Sequence, residues 1–194
     1  MNIYEIVGAV TGLICVLLII YRNIWNWPIG IISVIAYAVL FFQIKLYADM
    51  SLQIFYVVTG FIGWWMWAYG GEKGTELKVK AMSWKARTCT IAAFIPCYWG
   101  IAWFLQHYTN ASIPFWDSFA STLSVFAQIL LMRKLFESWI LWIAVDVLSI
   151  GIYIYKGVYL TVGLYSVFLV LAIMGYVAWK KLLKKNFERA VKPA

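Results

Sequence analysis

Trp139, Trp142, Asp146, Ser149 and Tyr153 follow one another at i, i+3, i+7, i+10 and i+14. Helical periodicity gathers such positions on one face. The other residues of 139–155 are nearly all Ile, Leu, Val, Ala and Gly, so the face is an aromatic and polar stripe on an apolar helix. Asp146 lies about eight residues from either end, which places it near the midplane of a bilayer-length segment. A carboxylate there costs about 2.5–3.5 kcal/mol on insertion scales, and a chain that keeps one usually uses it. Aromatic rings beside an anion seat an organic cation. The chemistry implied is reversible binding of a small aromatic cation inside a membrane. The plainer alternative is a structural Asp bonded to a neighbouring helix.

A second pair, Gln53 and Tyr56, sits at i and i+3. The amide both donates and accepts, which suits a substrate hydroxyl or ring nitrogen, or else an interhelical hydrogen bond. Tyr37 and Gln128 are weaker candidates for the same role and read first as packing or interhelical contacts. Trp25, Trp27, Trp64, Trp65 and Trp67 read as an interfacial aromatic belt. Asp117 and Glu137 stand at expected helix starts, where a negative charge meets the positive end of the helix dipole; Glu137 is also a candidate gate.

The elements that must position these residues are membrane helices. The chain is 64% hydrophobic and 12% charged, with a mean hydropathy of +0.82. Soluble domains run nearer to about 45–50% apolar and about 25% charged. Seven stretches are long and apolar enough to span: 3–21, 27–44, 46–69, 88–106, 116–132, 139–155 and 158–179. The first lacks a basic start and a small-residue cleavage site, so it is expected to stay. Cys15, Cys89 and Cys97 fall in apolar segments without metal-ligand spacing and read as packing residues. His107 is the sole histidine, so neither a metal site nor a cofactor is expected. The net charge of +8 lies between apolar segments rather than in a nucleic-acid-reading motif. Fourteen Lys and Arg fall on one side of the seven crossings, and two, Lys45 and Lys156, on the other. The positive-inside rule then puts the N-terminus outside and the C-terminus in the cytoplasm.

One constant offset lays the chain on itself: Trp27 on Trp139, Ile31 on Ile143, Tyr47 on Tyr159, Leu52 on Leu164, Gly63 on Gly175, Trp67 on Trp179 and Arg22 on Lys134. The expected fold is all-α and integral to the membrane. It is a single transporter domain with a first repeat over 3–69, a linker helix over 88–106, a second repeat over 116–179 and a basic cytoplasmic tail over 180–194. With one crossing between the triplets, the repeats are parallel, a three-plus-one-plus-three plan like that of SWEET-type sugar carriers.

Several motifs add a resemblance. Phe41-Phe42-Gln43-Ile44-Lys45-Leu46-Tyr47-Ala48, Leu52-Gln53 with Tyr56, Gly63-Trp64, Pro114-Phe115-Trp116-Asp117-Ser118, and Arg133-Lys134 followed by Glu137, Trp139 and Trp142 resemble the PnuC-type vitamin transporters. The resemblance implies facilitated diffusion of an unphosphorylated vitamin across the bacterial inner membrane, a homotrimer with a path through each protomer, and substrate contacts at Gln53, Tyr56, Trp139 and Trp142. Members similar to nicotinamide riboside carriers show Asn where this chain has Ser138 and Asp146. A carboxylate at Asp146 suits the amino group and fixed charge of thiamine, so thiamine is favoured over nicotinamide riboside, with neutral riboflavin behind both. The alternatives are a nicotinamide riboside carrier of the same family, a SWEET-like sugar carrier and a non-transporting membrane scaffold. No nucleophile–base pair or nucleotide motif argues for an enzyme.

Overall fold

The computed structural model describes residues 2–43, 45, 47–108 and 113–191. The expected helix boundaries at Ile44 and Leu46, residues 109–112 of the connection between the fourth and fifth helices, and the basic Lys192 lie outside them. Seven α-helices follow in order: α1 (Ile3–Ile20), α2 (Asn26–Gln43), α3 (Tyr47–Tyr69), α4 (Trp84–Tyr108), α5 (Pro114–Met132), α6 (Ser138–Tyr155) and α7 (Tyr159–Val191). All but α3 are both long and apolar enough to cross a bilayer. α3 spans about 34 Å, a sufficient length, but Asp49, Gln53, Thr59 and its many Tyr and Trp residues dilute its hydropathy. The basic segment after Trp179 is helical as far as Val191, where α7 ends.

The helix ends have local causes. Asn2 caps α1, its side-chain oxygen accepting from the Tyr4 amide at 3.2 Å. α1 ends where Arg22 takes φ +59° and the Asn23 amide reaches back to the Leu18 carbonyl at 2.9 Å. α5 ends the same way: Lys134 takes φ +54° and the Leu135 amide bonds the Leu130 carbonyl at 3.0 Å. Both are Schellman-type stops built on a non-glycine residue. Gly157, φ +72°, makes the α6–α7 turn, and Lys45, φ +60°, holds the matching place between α2 and α3.

α1, α2 and α3 pack in sequence, as do α5, α6 and α7; α1 also meets α7, and α3 meets α5. α4 packs on α5 alone to any extent and buries only Ala102. Its Ile91, Ile95, Trp99 and Trp103, spaced by four, face outward. An outward apolar stripe of this length fits a hydrocarbon surround and not water. Cys89 and Cys97 of α4 are exposed as well, so the expectation that they pack inside fails.

The core gathers at the end of the bundle that carries Arg22 and Lys134, called the basic end below. There Trp27, Trp67, Trp179 and Trp139 form a chain of rings with centroids 5.5, 6.2 and 5.5 Å apart, the two outer pairs edge-to-face at 88° and 86°. Sequence alone places Trp27 and Trp67 in an interfacial belt. The structure corrects this: they are 4% and 0% exposed. Trp25 and Trp65, at 62% and 63%, do face outward. Glycine makes the packing possible. A Cβ on Gly63 would lie 2.2 Å from the Trp27 ring, and one on Gly175 would lie 2.3 Å from the Trp139 ring.

Candidate functional site

Every helix except α4 contributes to a cavity of about 270 Å³. α6 supplies Trp139, Trp142 and Asp146, and α3 supplies Gln53 and Tyr56. Helical spacing of three and four put each set on one face, and packing turned the two faces toward a common space. Ser149 and Tyr153 share the α6 face but lie one and two turns farther from the basic end, and on α6 the lining stops at Asp146. Ser149 is buried without reaching the cavity, and Tyr153 stacks on Tyr165, a lining residue, at 5.3 Å. Glu137 does not line the cavity. Its carboxylate accepts from the Met82 amide at 3.0 Å and pairs with Arg87 at 2.7 Å. It forms no side-chain cap, and Asp117 pairs with Lys156 at 2.9 Å. Asp117 stands in the first turn of α5 and Glu137 at the start of α6, as expected, and each also pairs with a basic residue of another segment.

Several lining residues escape a reading of the sequence alone. Tyr37 and Gln128, weaker candidates expected as packing or interhelical contacts, both face the cavity, and Gln128 also makes an interhelical bond, donating to the Thr59 hydroxyl at 3.4 Å. Cys15 lines it too, its thiol donating to the Asn26 carbonyl at 3.2 Å. Trp27 is the main omission. The internal offset that pairs it with Trp139 is a usable signal, since the repeat counterpart of a site residue is itself a site candidate. Tyr165 and Phe168 of α7 fall on Gln53 and Tyr56 under the same offset. The two halves therefore offer similar walls with different chemistry: Asp146 faces the cavity where its counterpart is Val34, and Trp142 where its counterpart is Gly30.

The electrostatics are one-sided. Asp146 is 5% exposed, and none of the described residues hydrogen-bonds to its carboxylate. Among the described lining residues there is no Lys, Arg or His. The indole N–H groups of Trp27 and Trp139 are buried with no partner among the described residues. The nearby cation Lys134 is occupied elsewhere: its ammonium pairs with Glu76 at 2.7 Å and sits over the Trp67 ring at 4.3 Å. Burial pulls that ammonium below the ordinary lysine range, and Glu76 opposes the shift. A cavity with aromatic walls, amide and phenol groups and, among the described lining residues, one unpaired carboxylate can hold a polar aromatic cation.

The chain is similar to known membrane transporters. A sequence profile of the nicotinamide mononucleotide transporter family matches residues 2–181. The nicotinamide riboside transporter PnuC of Escherichia coli (strain K12) is 30% identical over 213 residues, covering 96% of this chain and 89% of that protein. The PnuC of Neisseria mucosa is 31% identical, covering 93% and 73%. The riboflavin/roseoflavin transporter RibM of Streptomyces davaonensis is 24% identical, covering 90% and 83%. Among solved structures, the crystal structure of the vitamin B3 transporter PnuC superposes with a TM-score of 0.76 at 30% identity, covering 94% of this chain and 82% of that one.

Proposed function

This chain belongs to the nicotinamide mononucleotide transporter family, a family of multi-pass membrane transporters and not of enzymes, and from that premise we propose that it carries nicotinamide riboside across the membrane by facilitated diffusion. One observation carries the choice of substrate form: the described lining residues of the cavity include a carboxylate and no cation. A nicotinamide mononucleotide would bring a phosphate of roughly −1.5 to −2 charge into a site that repels it and offers no Lys or Arg to replace its water. The riboside keeps the cationic ring and loses the phosphate. Gln53 and Tyr56 suit its hydroxyls and carboxamide, Trp139 and Trp142 its ring, and Asp146 its charge.

Sequence alone ranks thiamine first. That ranking is reversed here, because relatives named for nicotinamide riboside match over most of their length at 30% and 31% identity. Thiamine remains the second reading on account of Asp146 alone. The parallel three-plus-one-plus-three plan is part of the proposal. It is supported by the matched stops at Arg22 and Lys134 and the matched Trp-on-Gly packing at Gly63 and Gly175. So is the orientation, basic end in the cytoplasm, supported by the charge skew. A trimer stays as a proposal from the family resemblance, and a gating role for Glu137 as one from its place at the start of α6.

Purified protein should bind nicotinamide riboside most tightly, then thiamine, with nicotinamide mononucleotide, riboflavin and glucose far weaker. Proteoliposomes should equilibrate labelled riboside with neither ATP nor a proton gradient. Tighter binding of the mononucleotide than of the riboside would overturn the reading.

A further inference from the structure

The chain of four tryptophans closes the cavity at the basic end, and two helix seams cross that closure. At the first seam, α3 meets α5 and the Trp67 indole N–H donates to the Leu131 carbonyl at 3.0 Å. At the second, α7 meets α1 and the Trp179 indole N–H donates to the Ile20 carbonyl at 3.3 Å. Trp67 and Trp179 are related by the internal repeat, so the seams are counterparts.

What lies beneath them differs. Under the first seam, residues 75–82 run as a strap from α3 to the α5–α6 turn. The Leu77 amide donates to the Trp67 carbonyl at 3.1 Å, the Lys80 amide to the Lys134 carbonyl at 3.2 Å, and the Phe136 amide to the Lys80 carbonyl at 2.9 Å. Val79 is 7% exposed, packed into the tryptophan cluster. The ion pairs Glu76–Lys134 and Arg87–Glu137, each at 2.7 Å, fasten the strap and the α4 start that follows it to the same turn. Under the second seam α7 runs straight on as helix, and Arg22, the counterpart of Lys134, is exposed. Among the described residues no ion pair joins α7 to the α1–α2 turn.

We propose that the cavity opens toward the basic end by separation of α7 from the α1–α2 turn, while the strapped α3–α5 seam stays shut, so that substrate leaves past Trp27 on one side of the bundle. This rests on the reading of the cavity as the transport route. The physical reason is the imbalance in restraint. Opening the first seam also pulls on the strap held by backbone pairs, the Glu76–Lys134 ion pair and a buried valine; opening the second breaks one long indole bond and apolar contacts. Turning Trp27 gives up its packing on Gly63 and Trp67 but breaks no hydrogen bond, because its buried N–H has no partner among the described residues, and exposure to water would satisfy it.

The repeat supplies a matched test. Spin labels carried on a ketone-bearing non-natural residue leave the native cysteines in place. One pair replaces Tyr21 and Lys181 across the second seam. The other replaces Arg133 and Tyr69, the positions related to them by the repeat, across the first. All four are exposed. Pulsed dipolar distances in nanodiscs, without ligand, should show two populations for Tyr21–Lys181 and one for Arg133–Tyr69. Trp179→Phe, which deletes the indole bond to Ile20 and keeps an aromatic ring, should enlarge the longer Tyr21–Lys181 population. Trp67→Phe should leave both pairs unchanged because the strap still holds. Two populations at Arg133–Tyr69, equal behaviour at both seams, or a single population at each would overturn the proposal. Adding nicotinamide riboside should redistribute the Tyr21–Lys181 populations. If the empty protein behaves as stated and the riboside changes nothing, the substrate reading fails while the exit route stands.

Discussion

Asp146→Asn separates charge from shape at the centre of the cavity. The variant keeps the size of the side chain and an acceptor oxygen but removes the one charge among the described lining residues. A cation about 4 Å from a carboxylate gains roughly 4 kcal/mol at an effective dielectric of about 20, and part of that is offset by stripping water from the incoming ring. Hydrogen bonds to charged groups, measured net of solvent, contribute about 1.5–3 kcal/mol. A loss of about 2–3 kcal/mol is therefore expected, which is roughly thirty- to hundred-and-fifty-fold in affinity. Titration calorimetry in detergent measures it directly. The control is the reduced riboside, whose dihydropyridine ring is neutral: its affinity should change little. The empty variant should melt no lower than the parent, because no described residue bonds to the Asp146 carboxylate and removing an unpaired acid from hydrocarbon removes a cost. Unchanged riboside affinity would refute the role of the charge. An equal fall for the oxidised and reduced ribosides would show that geometry, not charge, was lost. A large drop in melting temperature would mark Asp146 as structural.

Other outcomes follow from particular contacts. Gly63→Ala and Gly175→Ala each place a Cβ at 2.2 or 2.3 Å from a tryptophan ring; each should cost about 1–3 kcal/mol by overpacking, read as a lower melting temperature together with lost riboside uptake. Trp67→Phe leaves the Leu131 carbonyl without its 3.0 Å donor and should destabilise by about 1 kcal/mol. Trp27→Phe deletes an N–H with no partner among the described residues and should melt at or above the parent, so the ordering of the two variants in one thermal assay is the check. Arg22→Gly relieves a left-handed backbone at φ +59° and should stabilise by about 1 kcal/mol, seen as a rise in the same assay; a fall would mean that the Arg22 side chain makes a contact of greater value.

Much of this protein is determined locally. Composition and hydropathy dictate membrane helices, since apolar runs of this length have nowhere else to bury themselves. The α6 face bearing Trp139, Trp142 and Asp146 follows from helical periodicity, and the repeat is visible as Trp, Gly and basic residues at a constant offset. What periodicity does not carry is which neighbour a face meets and how far along the axis the meeting extends. Hence Ser149 and Tyr153 share the face yet miss the cavity, and Tyr37 and Gln128 pass as packing until α2 and α5 are seen to close on the same space. Trp27 and Trp67 look interfacial because tryptophan near a helix end usually is. Only the approach of helices over Gly63 and Gly175 draws the rings of the cluster inward. The roles of Lys134 and Glu137 also wait on the tertiary structure. In sequence they are an orienting charge and a helix-start acid. In the fold a polar loop of no evident periodicity ties to both, because Val79 packs into the tryptophan cluster and the backbone beside it pairs with the α5–α6 turn.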